Sequence, residues 1–210
     1  MDTQQPLGWR FWAGWGLAFV GFPLGGVVAQ ALTGGVATPA EGLLAGAATG
    51  AVVRAAQWLV LSRRLPLSPW WVVATSAGMA AGLALSTQLL GTETVGNALP
   101  LRGLVTGASI GLAQMLVLRG LTDRAPLWGL VVALGWPLGW LTTRAVGVEL
   151  APQFAVFGST GAWVFQFLTG LTLAWILRQR ATPASHRHEA RGRNGEGARG
   201  TVSARGQKVR

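Results

Sequence analysis

Residues Leu43–Leu61 read LLAGAATGAVVRAAQWLVL. The stretch carries a single charge, Arg54, and a Gly46-x-x-x-Gly50 pair. A helix needs about 20 mainly apolar residues to cross the hydrocarbon core of a bilayer. Small residues four apart let two such helices approach closely. The stretch therefore predicts a membrane-spanning helix over 42–61, and five more of the same kind lie around it, at 11–31, 70–90, 101–119, 127–147 and 157–177. The expected fold is all-α, a six-transmembrane-helix bundle over 11–177. A short N-terminal flank (1–10) and a basic tail (178–210) complete the chain.

The charge distribution fits that division. The 210 residues carry a formal net charge of +10, yet only 11% are charged, against roughly a quarter in soluble domains. Nine of the 17 Lys and Arg residues fall between Arg178 and Arg210. The first span begins Trp9-Arg10-Phe11-Trp12 and stays apolar for about 20 residues, so a retained helix is expected rather than a cleaved signal peptide with its short apolar core. Cytoplasmic loops of membrane proteins carry an excess of Lys and Arg. Arg10, Arg63, Arg64, Arg119, Arg124 and the tail lie on one side of the predicted spans. Arg102 and Arg144 lie on the other, together with Glu41, Glu93 and Glu149. The pattern predicts both termini in the cytoplasm of a bacterial inner membrane, a source hinted at by 16 Arg to one Lys. Trp9, Trp12, Trp70, Trp71, Trp128 and Trp175 gather at the predicted cytoplasmic boundary, where interfacial indoles are favoured.

The opening stretch recurs. At an offset of 57 residues, 14 of the 39 positions 44–82 are identical. Among them are Gly46/Gly103, Thr49/Thr106, Gly50/Gly107, Gln57/Gln114, Trp71/Trp128, Gly78/Gly135 and Gly82/Gly139. The first helix joins at twice that spacing, Gly21-Phe22-Pro23-Leu24-Gly25 against Gly135-Trp136-Pro137-Leu138-Gly139. In the sixth helix, Gly158, Gly161 and Gln166 do not fall into this register. A two-helix unit that repeats with unchanged orientation predicts parallel repeats about an axis near the membrane normal. Pro23 and Pro137, mid-helix, are expected to kink their helices.

The run Gly46-x-x-x-Gly50, Gln57-Trp58-Leu59-Val60-Leu61, Arg63-Arg64 and Trp70-Trp71 resembles uncharacterised bacterial multi-pass membrane proteins that repeat a Gly-rich helix ending in Gln-Trp-Leu-Val-Leu-Arg. The resemblance covers mainly residues 44–140, with Met115 in the second copy where Trp58 stands in the first. It implies the fold and no activity.

The polar residues inside the predicted spans are few. Gly46, Gly50, Gly78, Gly82, Gly103, Gly107, Gly135 and Gly139 are expected to pack helices. Arg54, Gln57, Gln114, Thr49, Thr106 and Gln166 are the candidates for an anion or lipid site, or for a polar path. A buried Arg is a functional candidate by default, and the matching position holds Gly111. Snorkelling, bonding to Gln57 or Gln114, and an anionic ligand all stand open for it.

Catalysis is not expected. The chain has no Cys, and its two His, His186 and His188, lie in the tail. The spans thus offer no Ser–His pair, paired carboxylates or zinc ligands, and no metal or cofactor is predicted. The tail, rich in Arg, Gly and Ser, is expected to be disordered and to favour anionic lipid at the cytoplasmic face; no nucleic acid is expected. The chain reads as a scaffold or accessory subunit with a membrane-protein partner. The alternative is a small permease or channel with a polar path past Arg54, Gln57 and Gln114.

Overall fold

The computed structural model describes residues 8–63, 65–92, 97–148 and 158–180. Arg64, Glu93, Glu149 and the tail from residue 181, which the sequence assigns to links and to a disordered basic segment, lie outside the described residues. Each predicted stretch forms a helix. The first span contains α1 (Trp9–Leu17) and α2 (Gly21–Thr33), joined by a 3₁₀ turn at Ala18–Val20. The others are α3 (Pro39–Leu61), α4 (Trp70–Leu90), α5 (Ala98–Leu118), α6 (Ala125–Ala145) and α7 (Ser159–Arg180). All six are long and apolar enough to cross a membrane, the make-up of an integral membrane protein. The last helix runs three residues beyond its predicted end, into the expected tail.

Local chemistry sets several boundaries. Thr38 and Glu41 form a capping box at the start of α3. Thr38 Oγ1 accepts from the Glu41 backbone N–H at 3.3 Å, and Glu41 Oε2 accepts from the backbone N–H of Thr38 and of Ala37 at 2.8 Å. Pro39 follows at the first helical position, where its missing donor costs nothing. Gly34 ends α2 in the left-handed conformation, φ +66°, which a glycine adopts without strain. The two mid-span prolines behave differently. Pro23 cannot donate to the carbonyl four residues back, and the chain tightens into the 3₁₀ turn just before it. Pro137 sits inside an unbroken α6.

Successive spans pack side by side, and α7 returns to the first span, closing a ring of six. Glycines set the spacing. A Cβ on Gly46 would lie 2.6 Å from Ala80 Cα, and one on Gly50 would lie 2.7 Å from Ser76 Cα. On α5, a Cβ on Gly103 would lie 2.9 Å from Pro137 Cα, and one on Gly107 would lie 2.5 Å from Trp136 Cβ and 2.7 Å from Ala133 O. Ala80, Ser76 and Met79 lie 57 positions before Pro137, Ala133 and Trp136. The α3–α4 and α5–α6 contacts therefore share one register. So do the contacts of the first span with α3 and of α4 with α5. Gly21 faces Val53 and Ala56 and Gly25 faces Thr49, while Gly78 faces Ile110 and Ala113 and Gly82 faces Thr106.

The middle of the ring is filled. Phe22, Trp136 and Phe165 meet with ring centroids 5.4–6.3 Å apart. Val53, Met79 and Ile110 are buried with them. The outward faces are apolar, with Leu17, Val27, Leu59, Leu89, Leu134 and Phe167 all largely exposed.

Candidate functional site

Two buried polar clusters occupy the interior, and the sequence candidates divide between them. The first is built around Arg54. Its place on α3 is seven residues from Leu61, roughly 10 Å from the helix end at 1.5 Å per residue, and its side chain is 1% exposed. Arg54 Nη1 donates to Gln57 Oε1, one turn along the same helix. The guanidinium carbon also lies 5.9 Å from the centre of the Phe165 ring, a cation–π distance. Gln57 Nε2 donates in turn to Gln166 Oε1 on α7 at 2.8 Å. Gln166 then bonds the first span twice: its Nε2 donates to the Trp15 carbonyl at 2.5 Å, and its own carbonyl accepts from Trp15 Nε1 at 2.8 Å. The Trp15 indole lies against Gly170, where a Cβ would come within 2.7 Å of the ring. One chain of hydrogen bonds thus ties α3, α7 and the first span together.

The second cluster is built around Gln114 on α5. Its Oε1 accepts from Trp128 Nε1 of α6 at 2.8 Å, and its Nε2 donates to Thr75 Oγ1 of α4 at 3.2 Å. Thr75 passes its own proton back to the Trp71 carbonyl at 2.8 Å. Gln114 therefore stands apart from Arg54: its partners are Thr75 and Trp128 rather than Gln57 or Gln166. Thr49 is used elsewhere again, donating to the Gly25 carbonyl of the first span at 3.1 Å. Thr106 is buried against Gly82.

Comparison with protein-family models, with curated proteins and with solved structures finds no match to this chain. The site is read from its own residues.

Two of the six tryptophans expected at the membrane boundary are corrected by this geometry. Trp71 is 0% and Trp128 1% exposed. Each projects inward from the first turn of its helix, and the two rings lie 6.0 Å apart. Trp9, Trp70 and Trp175 keep the exposed position expected of interfacial indoles. Trp71 Nε1 is buried with no hydrogen-bond partner. Beside the two tryptophans lies a small apolar pocket lined by Leu61, Leu118, Leu173 and Ile176 as well. Arg54, Gln57 and Gln114 do not line it.

Sequence reasoning missed Trp15, Thr75 and Phe165 as partners of the polar residues. It also missed that Arg102 is buried, at 6% exposure. One signal was present: Gln57 and Trp71 are separated by 14 residues, as are Gln114 and Trp128. Chemically, the Arg54 cluster contains a guanidinium, two carboxamides and an indole, with no carboxylate, imidazole or thiol. Such a set binds and orients; it offers no group to shuttle a proton near neutral pH.

Proposed function

We propose that the protein is a non-enzymatic membrane scaffold or accessory subunit of a larger assembly. It sits in a bacterial inner membrane with both termini in the cytoplasm, and its basic tail holds anionic lipid or a cytoplasmic partner. The observation that carries this reading is the filled axis. Phe22, Trp136 and Phe165 meet at the centre, and the polar residues of a would-be path bond to one another in two separate clusters.

Within that reading the bundle consists of three two-helix units around one axis: α3–α4, α5–α6, and α7 with the first span. What supports the third unit is a shift of two residues. Gly139 lies against Gly161 and Gly135 against Phe165, where the matching Gly82 and Gly78 lie against Thr106 and Ile110. From Thr106 to Gly161, and from Ile110 to Phe165, the offset is 55. The same offset maps the Gly111–Gly129 contact onto Gln166–Trp15, and the Met115–Gly129 contact onto Gly170–Trp15. The glycine faces then act as the internal joints of a rigid platform, leaving the apolar outer faces and the tail for partners.

Reconstitution into liposomes tests it. Under the scaffold reading, wild type and Arg54→Leu conduct no ion or small solute, and native purification from mild detergent brings down a stoichiometric membrane partner. Solute flux in wild type that is lost in Arg54→Leu would overturn the scaffold in favour of a permease with its path past Arg54, Gln57 and Gln114.

A further inference from the structure

We propose that Arg54 is the seat of an oxyanion, a carboxylate or a phosphate group, and that Gln57 is the displaceable side chain that closes this seat. The argument starts from donors. A guanidinium has five N–H donors. Among the described residues Arg54 makes one hydrogen bond, to the neutral Gln57 Oε1, and its other contact is with the face of Phe165. Of the described acidic residues, Glu41 is committed to its capping box at the far end of α3, and Asp123 is exposed in the turn before α6. A buried charge is retained at high cost unless a counter-charge neutralises it, and an Arg pairs best with the two oxygens of a carboxylate or phosphate.

The second observation is Trp71. In α5 and α6, Gln114 Oε1 accepts from Trp128 Nε1. Gln57 and Trp71 occupy the matching positions on α3 and α4, 57 residues earlier. There the bond is not made: Gln57 Oε1 is turned to Arg54, its Nε2 to Gln166, and Trp71 Nε1 is buried without an acceptor. Burying an unsatisfied N–H is costly. Among the differences between the two copies, the one that supplies a competing donor to this oxygen is Arg54, which stands where the other has Gly111. Gln57 therefore has two competing donors for one oxygen.

An oxyanion resolves the competition. Its oxygens take the Arg54 donors and neutralise the charge. Gln57 Oε1 is released and turns to Trp71 Nε1, reproducing the Gln114–Trp128 bond. Its link to Gln166 is lost in the turn, so occupancy loosens the tie between α3 and the α7–first-span seam. The seat lies about 10 Å from the helix end. That depth is within reach of a lipid headgroup drawn inward, and of a small solute anion.

The Trp71 indole reports the exchange. Full-length protein with ¹⁵N-labelled tryptophan is placed in phosphatidylcholine nanodiscs, and the Trp71 and Trp128 signals are assigned with Trp71→Phe and Trp128→Phe. The Trp71 indole proton is expected upfield of the hydrogen-bonded Trp128 proton. One arm titrates inorganic phosphate and, separately, acetate; the other replaces part of the lipid with phosphatidylglycerol. A downfield move of Trp71 toward Trp128 in the first arm identifies a solute anion, and a move in the second arm alone identifies a lipid headgroup. Arg54→Gly is expected to show Trp71 downfield with no anion added and to respond to neither arm. A Trp71 signal that stays in place in both arms of the wild type overturns the proposal without need of any variant. An anion response that persists in Arg54→Gly, or in Arg54→Gln where glycine disrupts the fold, overturns it as well.

Discussion

Gly46→Ala is the sharpest test of how this bundle is held together. The added Cβ would lie 2.6 Å from Ala80 Cα, 2.6 Å from Met79 O and 2.7 Å from Ala80 N. All three are backbone atoms, so no rotamer change relieves the overlap. Ordinary contact begins at 3.4 Å, which means α3 and α4 must separate by about 1 Å. Separation is felt along the whole seam, because Gly50 and Gly42 meet α4 backbone at 2.7 and 3.0 Å. A gap of 0.5–1 Å forfeits about a quarter to a half of the dispersion energy of the atoms it parts. Overpacking of this kind costs about 1–3 kcal/mol, and helix propensity returns up to about 1 kcal/mol because Ala is the better helix former. The net expectation is a loss of about 1–2 kcal/mol. The control is Gly16→Ala, whose Cβ would meet only the Trp163 ring, at 3.9 Å, and which should be neutral or slightly stabilising. Reversible unfolding of the two variants in bicelles measures the difference. Equal stability of Gly46→Ala and Gly16→Ala would refute the view that backbone contact at the glycines holds the spans.

Other expectations follow from single contacts. Trp128→Phe leaves Gln114 Oε1 buried without its donor and should cost about 1–3 kcal/mol, whereas Trp71→Phe removes an unpartnered donor and should cost less; unfolding curves that rank them the other way would refute this assignment of partners. Gln166→Leu removes the side-chain bonds to the Trp15 carbonyl and to Gln57 while leaving the Trp15 indole on the residue 166 backbone carbonyl, and should raise protease or deuterium access of the first span before that of α4 or α5. Thr38→Ala removes the capping oxygen of α3 and should lower stability by about 1 kcal/mol, with Glu41→Gln smaller. Reporter fusions should place residue 1 and residue 210 on the same side of the membrane, and opposite placement would refute the charge-based orientation.

The six spans were legible because nothing else in a sequence looks like 20 apolar residues without charge, and the helices begin and end within a few residues of the expected limits. The glycine faces were legible for a related reason: a helix has only one period, so Gly46 and Gly50 must share a side. Two things were not legible. The inward turn of Trp71 and Trp128 depends on which side of α4 and α6 faces the axis, and both faces of a membrane helix are apolar. The partners of Arg54 depend on α7, whose contacts follow an offset of 55 rather than 57; at an offset of 57 Gln166 falls opposite Ser109 and looks unrelated. The polar residues stood out in the sequence and are buried, while their grouping into two clusters was set by tertiary register.

In the three-unit arrangement proposed above, Arg54, Gly111 and Gln166 would occupy matching positions on α3, α5 and α7, and each makes a different joint. Gly111 rests on the Gly129 backbone of α6, a close backbone approach of the kind small residues permit. Gln166 instead faces Trp15 and holds it by two hydrogen bonds, so the first span is kept at a side chain's distance; its span is the least buried of the six. Among the described residues Arg54 makes no hydrogen bond to its own neighbour α4, and it reaches across to α7 through Gln57. Backbone contact between glycines cannot be released without separating the helices, whereas a bond between side chains can be exchanged for another. Glycine–backbone contacts of this kind join α3 to α4, α5 to α6 and α6 to α7, so the adjustable joint is the hydrogen-bonded seam where α7 meets the first span. If the bundle moves in response to a ligand or a partner, it opens at that seam, and the glycine-packed helices α3 to α6 are the frame against which it does so.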